Sequence, residues 1–209
     1  MVAEVFCSTC HAPFLSDAPL DNEGRCALCR SGMLGFDAAF AFGEYAGSLR
    51  QLIHLFKYEK ISTLAGPLAV LASRALPRSG EEYEAIVPMP LHWRKRRERG
   101  FNQSLLLASE LSKRTGVPVR AVLRRVKATE AQAGLTGAQR RKNVAGAFAV
   151  RRPETVAGRH VLLIDDVLTT GATAGVCAAE LKRNGARRVS VLTVARADRR
   201  QGFAGKLLT

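Results

Sequence analysis

Two sets of side chains in this 209-residue sequence could do chemistry. The first is Asp165 and Asp166, which end the apolar run Val161-Leu162-Leu163-Ile164 and lead through Val167 and Leu168 into Thr169-Thr170-Gly171-Ala172-Thr173. Two neighbouring carboxylates are acceptor-only when ionised, so they suit a vicinal diol, a metal ion, or both. The loop behind them opens a helix expected over 172–186, whose free N–H groups and dipole favour a phosphate. Gly171 permits close backbone approach, while Thr169, Thr170 and Thr173 add hydroxyl donors. A diol held near a phosphate describes a ribose 5-phosphate. A strand end that merely capped the next helix would need one such side chain, not two aspartates and three threonines.

The second set is Cys7-x2-Cys10 and Cys26-x2-Cys29, separated by fifteen residues. This is the spacing of a structural zinc site, in which each pair grips the metal from a tight turn. Two disulfides or an iron–sulfur cluster are the alternatives, and a reducing compartment disfavours the first. Residues 1–35 have too few apolar side chains to fold unaided, so a metal would have to hold them. With four thiols present, His11 is left out of the ligand set. Cys177, on the 172–186 helix, reads as a small core residue.

The elements that must position these groups follow from periodicity. Strands are expected over 36–45, 85–91, 119–126, 159–167 and 187–195. Helices are expected over 48–58, 64–76, 104–116 and 172–186, with Gly116 ending the third and Gly185 past the end of the fourth. Residues 94–103, "RKRRERGFNQ", read as a basic loop, and 127–148 as a polar, mobile loop. The last dozen residues are expected to fray. Alternating strands and helices point to an α/β fold with a parallel sheet, in which ligands bind beyond the carboxyl ends of the strands. Asp165 and Asp166 lie at such an end.

The net charge of +14 is unevenly placed. Residues 91–152 carry 16 basic and 3 acidic side chains, whereas 1–90 carry 7 and 10. The surplus is either a solvated face or the footprint of a polyanion, a nucleic acid or a multiply phosphorylated ligand. Trp93 and Phe101 among the arginines could stack bases, although ordinary packing is the default for Trp93. Lys57, at the end of its helix, is read as solvated, with reach to the site as the alternative. No apolar run is long enough for a membrane span and the N-terminus lacks a signal-peptide pattern, so the expected compartment is the cytoplasm.

Residues 161–173 resemble, position by position, the ribose-phosphate signature of the type I phosphoribosyltransferases. "PMPLHWRKRRERGFNQSLLLA" (88–108) and "QAGLTGAQRRKNVAGAF" (132–148) resemble the Pro-x-Pro…Arg-Gly-Phe-Asn-Gln and Gln-x-x-Leu…Arg-x-x-Asn patterns of the ComF/GntX group of phosphoribosyltransferase-like proteins. "LRQLIHLFKY" is similar to that group's helix ending in Lys-Tyr. The resemblance spans essentially the whole chain. It implies a type I phosphoribosyltransferase-like parallel sheet flanked by helices, with a zinc module at 1–35, a hood at 36–84 and the core at 85–209.

Residue by residue, the resemblance implies that Asp165 and Asp166 hold the ribose hydroxyls of phosphoribosyl pyrophosphate (PRPP). Thr169, Thr170, Gly171, Ala172 and Thr173 would cradle its 5′-phosphate. The segment from Arg94 to Arg99 would face the pyrophosphate, and Gln132, Arg140 and Asn143 would lie on a flap closing over the site. Asp165, Asp166 and Arg140 are the candidate catalytic residues. Mg2+ would bridge pyrophosphate and ribose oxygens with few protein ligands. No general base stands out. The resemblance further implies a link to natural competence and DNA uptake, with single-stranded DNA and a helicase-like uptake motor as partners. Three readings stay open: a phosphoribosyltransferase with an unidentified acceptor, a non-catalytic PRPP- or nucleotide-sensing uptake factor, and a zinc-stabilised adaptor. The acidic pair and Thr-rich loop favour the first two, because a pure adaptor has no use for them.

Overall fold

The computed structural model describes residues 5–197 except 15, 18, 33, 78–81, 92 and 127–145, and of Arg94 only the backbone. Its centre is a four-stranded sheet built from β3 (Ala38–Glu44), β4 (Ala85–Pro88), β7 (His160–Leu168) and β8 (Arg188–Arg196). The order is β3-β8-β7-β4, and every neighbouring pair is parallel. Parallel strands bury both faces, so they read as near-continuous apolar runs, and β7 and β8 do so.

Alternation along β7 assigns those faces. Leu162 and Ile164 pack with Ile53 and Phe56 of α2 (Gly47–Tyr58), Leu68 of α3 (Ala65–Ser73) and Leu107 of α5 (Gln103–Thr115). Val161 and Leu163 pack on the other side with Cys177, Ala178 and Leu181 of α6 (Ala172–Arg183). Phe56 and Ile53 are fully buried, so truncating Phe56 to Ala would cost about 3–5 kcal/mol.

The helix boundaries have local causes. Asn102 caps α5 by accepting from Ser104 N at 3.1 Å, and Gly116 closes it in the left-handed region at φ 73°. Gly185, at φ 92°, does the same just past α6.

Two sequence expectations are corrected. The basic run 94–103 is not a loop, because Trp93–Arg99 forms a helix, α4. Arg, Lys and Glu are good helix formers, and the turn comes at Gly100, which has φ 81°. The strand expected over 119–126 shrinks to β5 (Leu123–Arg125), with Val119 making a single parallel bridge to Ile86. β5 pairs antiparallel with β6 (Phe148–Val150) in a separate two-stranded sheet. Of the loop expected over 127–148, residues 127–145 lie outside the described residues and Phe148 instead begins β6; the expected fraying of the last dozen residues also lies outside them.

The N-terminal segment folds as a two-stranded hairpin, β1 (Val5–Phe6) and β2 (Pro13–Phe14), followed by a single-turn helix α1 (Ala27–Arg30). It leans on the sheet. Ala39 N of edge strand β3 donates to Thr9 O at 2.9 Å, and His11 Nδ1 donates to Ala39 O at 3.0 Å. Buried Arg196, at the end of β8, donates from Nη1 to Cys10 O.

Candidate ligand cleft and cysteine cluster

β4 leaves the sheet early. Its last pair with β7 is Pro88 with Ile164, whereas β7 runs on through Asp165 and Asp166 beside β8. A cavity of about 580 Å³ opens where β4 ends, a size usual for a small-molecule site. It is lined by the acidic pair, the start of α6, α4, the first turn of α5 and the end of α2.

The two neighbouring carboxylates meet different partners. Asp165 Oδ1 accepts from Ser104 Oγ at 3.0 Å and from Asp166 N at 2.9 Å. Burial, and next the neighbouring Asp166 charge, push its carboxyl up to about 7. Asp166 points toward α2, where Lys57 Nζ lies 2.6 Å from its Oδ1. Burial alone would lower the Lys57 ammonium, but Asp166, and then Asp165, outweigh it and hold the group above its ordinary value. Lys57 is therefore not the solvated helix-end lysine expected from sequence. Its side chain is only 14% exposed.

The 169–173 loop lines the cleft through Thr169, Gly171, Ala172 and Thr173. Gly171 caps α6 at φ 77°, a conformation that favours glycine. The Thr170 hydroxyl accepts from Ala172 N at 3.4 Å. From the opposite wall, Arg99 donates to Gln103 Oε1 at 3.1 Å and stacks over the Tyr58 ring at 5.3 Å. Lys95 also lines the wall, its ammonium pushed down by burial and then by Arg99, Arg125 and Lys57. Among the described residues, the buried Nε2 of Gln103 and Nε of Arg125 have no hydrogen-bond partner. The wall thus holds more cationic and donor groups than its own acceptors satisfy, the electrostatic signature of an anion site.

Arg99 is brought to the cleft as the sequence suggested. Arg140, Gln132, Asn143 and the side chain of Arg94 lie outside the described residues. Sequence reasoning missed Ser104, Gln103 and Arg125. The first two follow directly on the Asn102 cap, which is a signal that they begin a helix at the sheet's carboxyl edge. Trp93, expected by default to be packed, is 62% exposed, on a helix whose Arg96 and Arg97 are also exposed.

At the other candidate site, the four sulfur atoms of Cys7, Cys10, Cys26 and Cys29 lie within 4.8 Å of one another. Three of the separations are 3.6, 3.8 and 3.6 Å. A tetrahedron with Zn–S bonds of about 2.3 Å has edges of roughly 3.8 Å, so the cluster can hold one metal ion. None of the four is disulfide-bonded. The Cys29 thiol, against the effect of burial and with help from Arg196, brings Cys10 down to about 4. Cys29 itself is driven up, first by Cys10. A shared cation resolves that crowding. Cys177 is fully buried beneath the cleft and its thiol is held high by burial, as a core residue would be.

Comparisons with known proteins give the family. Residues 102–204 match the family model described as a phosphoribosyl transferase domain. Over 83% of its length the chain is 34% identical to competence protein F of Haemophilus influenzae, covering 79% of that protein. It is likewise 34% identical to the DNA utilization protein YhgH of Escherichia coli, with 82% of this chain and 77% of that one aligned. Among solved structures it is similar to a purine phosphoribosyltransferase from Pyrococcus horikoshii, at 18% identity and a TM-score of 0.36, covering 65% of this chain and 72% of the other. The fold is that of a phosphoribosyltransferase-like protein. Within that class, the chain belongs to the ComF/GntX family, with competence protein F and YhgH.

Proposed function

We propose that the chain binds PRPP in this cleft and transfers its phosphoribosyl group to an acceptor, releasing pyrophosphate, in the service of DNA uptake. One observation carries the reading: an acidic pair, a glycine-capped helix start and a cation-rich wall converge on a single cavity. In this reading Asp165 and Asp166 take the ribose hydroxyls. The 169–173 loop takes the 5′-phosphate at the α6 N-terminus. Lys95, Arg99 and Gln103 face the pyrophosphate, together with Arg94, and Arg140 acts from the flap. The protein's work is positioning, stabilising leaving-group charge and excluding water. Mg2+ enters with the pyrophosphate. The four cysteines hold Zn2+ as a structural crosslink, and the three segments 1–35, 36–84 and 85–209 act as zinc module, hood and core.

Pyrophosphate release from Mg·PRPP across a panel of nucleobase and amine acceptors tests the enzymatic part. Release with one acceptor, abolished in Asp165→Asn/Asp166→Asn, supports transfer. Saturable PRPP binding without release for any acceptor would leave a nucleotide-sensing competence factor.

A second reading concerns α4, whose exposed Trp93, Arg96 and Arg97 form a basic, aromatic surface. We propose that single-stranded DNA binds there, bases on Trp93 and phosphates on the arginines. The relatives' names, competence and DNA utilization, support this setting, and we propose with it a cytoplasmic location and a helicase-like uptake partner. No helix among the described residues is long and apolar enough to cross a membrane. Affinity should fall steeply from low to moderate salt, and salt-insensitive binding would count against it.

A further inference from the structure

The acidic pair already has a cation. Lys57 Nζ sits 2.6 Å from Asp166 Oδ1 with both side chains largely buried, at 14% and 10% exposed. Asp165 keeps one oxygen occupied by Ser104 Oγ and Asp166 N. A divalent ion coordinated directly by this pair would need ionised, accessible carboxylate oxygens. Here one carboxylate is claimed by an ammonium and the other is buried, hydrogen-bonded and inclined to hold a proton near neutrality. The pair does not fit a Mg2+ ligand set.

We propose that Lys57 is the resident cation of the ribose site, a positioning residue that fixes Asp166 for the ribose hydroxyls so that no divalent ion is needed at the acidic pair. Three features support this. Lys57 comes from α2, an element distinct from the cleft floor, and the packing of Phe56 and Ile53 anchors its backbone. Its ammonium is held charged by the two carboxylates. The other cations of the cleft, Arg99 and Lys95, repel its ammonium, and among the described residues the ion pair to Asp166 comes from Lys57. The same cleft should therefore accept ribose 5-phosphate, which has no pyrophosphate to carry magnesium, in the absence of any divalent ion. This consequence rests on the PRPP-site reading. The occupancy of Asp166 by Lys57 does not.

The test uses zinc-loaded wild type, Lys57→Met and Lys57→Arg, all first checked for wild-type circular dichroism. In one arm Mn2+ is titrated and followed by electron paramagnetic resonance. Wild type should show no Mn2+ bound at the acidic pair. Lys57→Met should gain one site, lost again when Asp166→Asn is added, and Lys57→Arg should behave as wild type. A Mn2+ site of equal strength in wild type and Lys57→Met would overturn the proposal, whatever the ligand proves to be. In the other arm ribose 5-phosphate is titrated with EDTA or with Mg2+. Wild-type affinity should agree within twofold between the two conditions. Lys57→Met should weaken at least tenfold in EDTA and recover part of the loss in Mg2+. A tenfold wild-type loss in EDTA contradicts the role given to Lys57. Wild type binding neither ribose 5-phosphate nor PRPP in either condition contradicts the ribose-phosphate reading itself, and the Mn2+ arm tells the two failures apart.

Discussion

At the scale of the residue, Asp165 and Asp166 are chemically identical neighbours made unequal by their surroundings. Asp166 is charge-paired with Lys57, while burial beside that charge raises the Asp165 carboxyl to about 7. A folded-state value above the unfolded one means that the folded protein binds the extra proton. The stability tied to that proton is complete at low pH and is lost as pH rises through about 7. Asp165→Asn should remove this cost while keeping an oxygen for Ser104 Oγ and Asp166 N. Its stability advantage over wild type should grow by about 2 kcal/mol between pH 5.5 and 8, measured by paired urea melts. A difference independent of pH would show that Asp165 titrates as an ordinary carboxyl. The pair itself was legible because two adjacent aspartates at a strand end, followed by a Thr-rich loop, have few other uses. Its inequality was not. It depends on Lys57 and Ser104, which lie 109 and 61 positions away from their partners Asp166 and Asp165 in sequence.

At the scale of the element, α6 is where the 169–173 loop and the N-terminal segment meet. A Cβ added to Gly175 would lie 2.4 Å from Leu34 O, and one added to Gly171 would lie 3.1 Å from Leu34 Cδ2. The backbone at Leu34 therefore touches the helix that begins at that loop. Gly175→Ala should force these elements apart and cost roughly 1–3 kcal/mol, lowering Tm by about 3–10 °C. Gly66→Ala, whose added Cβ would meet nothing nearer than Glu110 Oε2 at 3.9 Å, is the matched control and should melt at or slightly above wild type. If Gly175→Ala melts with the control, the close contact carries no weight. β7, β8, α5 and α6 were legible because their apolar periods and glycine stops agree. α4 was not, because a run of Arg, Lys and Glu without an apolar stripe reads equally as a loop. β5 and β6 are only three residues each, too short for alternation to show.

At the scale of the whole molecule, the cysteine segment covers the open edge of the sheet. Thr9 and His11 bond to Ala39 of β3, and Arg196 of β8 reaches Cys10 O. An uncovered edge strand is a template for association. Removing metal from the cluster should release this cover, lower Tm and drive self-association visible by light scattering. A chelated protein that stays monodisperse with an unchanged melt would show that the cluster is not a structural crosslink. The cysteine spacing announced a cluster able to hold a metal, but nothing local to it revealed that the segment also guards β3. Whether the acidic pair and the α6 loop form a ribose-phosphate site is decided by titration of PRPP into wild type and Asp165→Asn/Asp166→Asn. Wild type should bind saturably, and the double variant at least tenfold more weakly while its fold is retained. Equal binding by both proteins, or none by wild type, would contradict such a site.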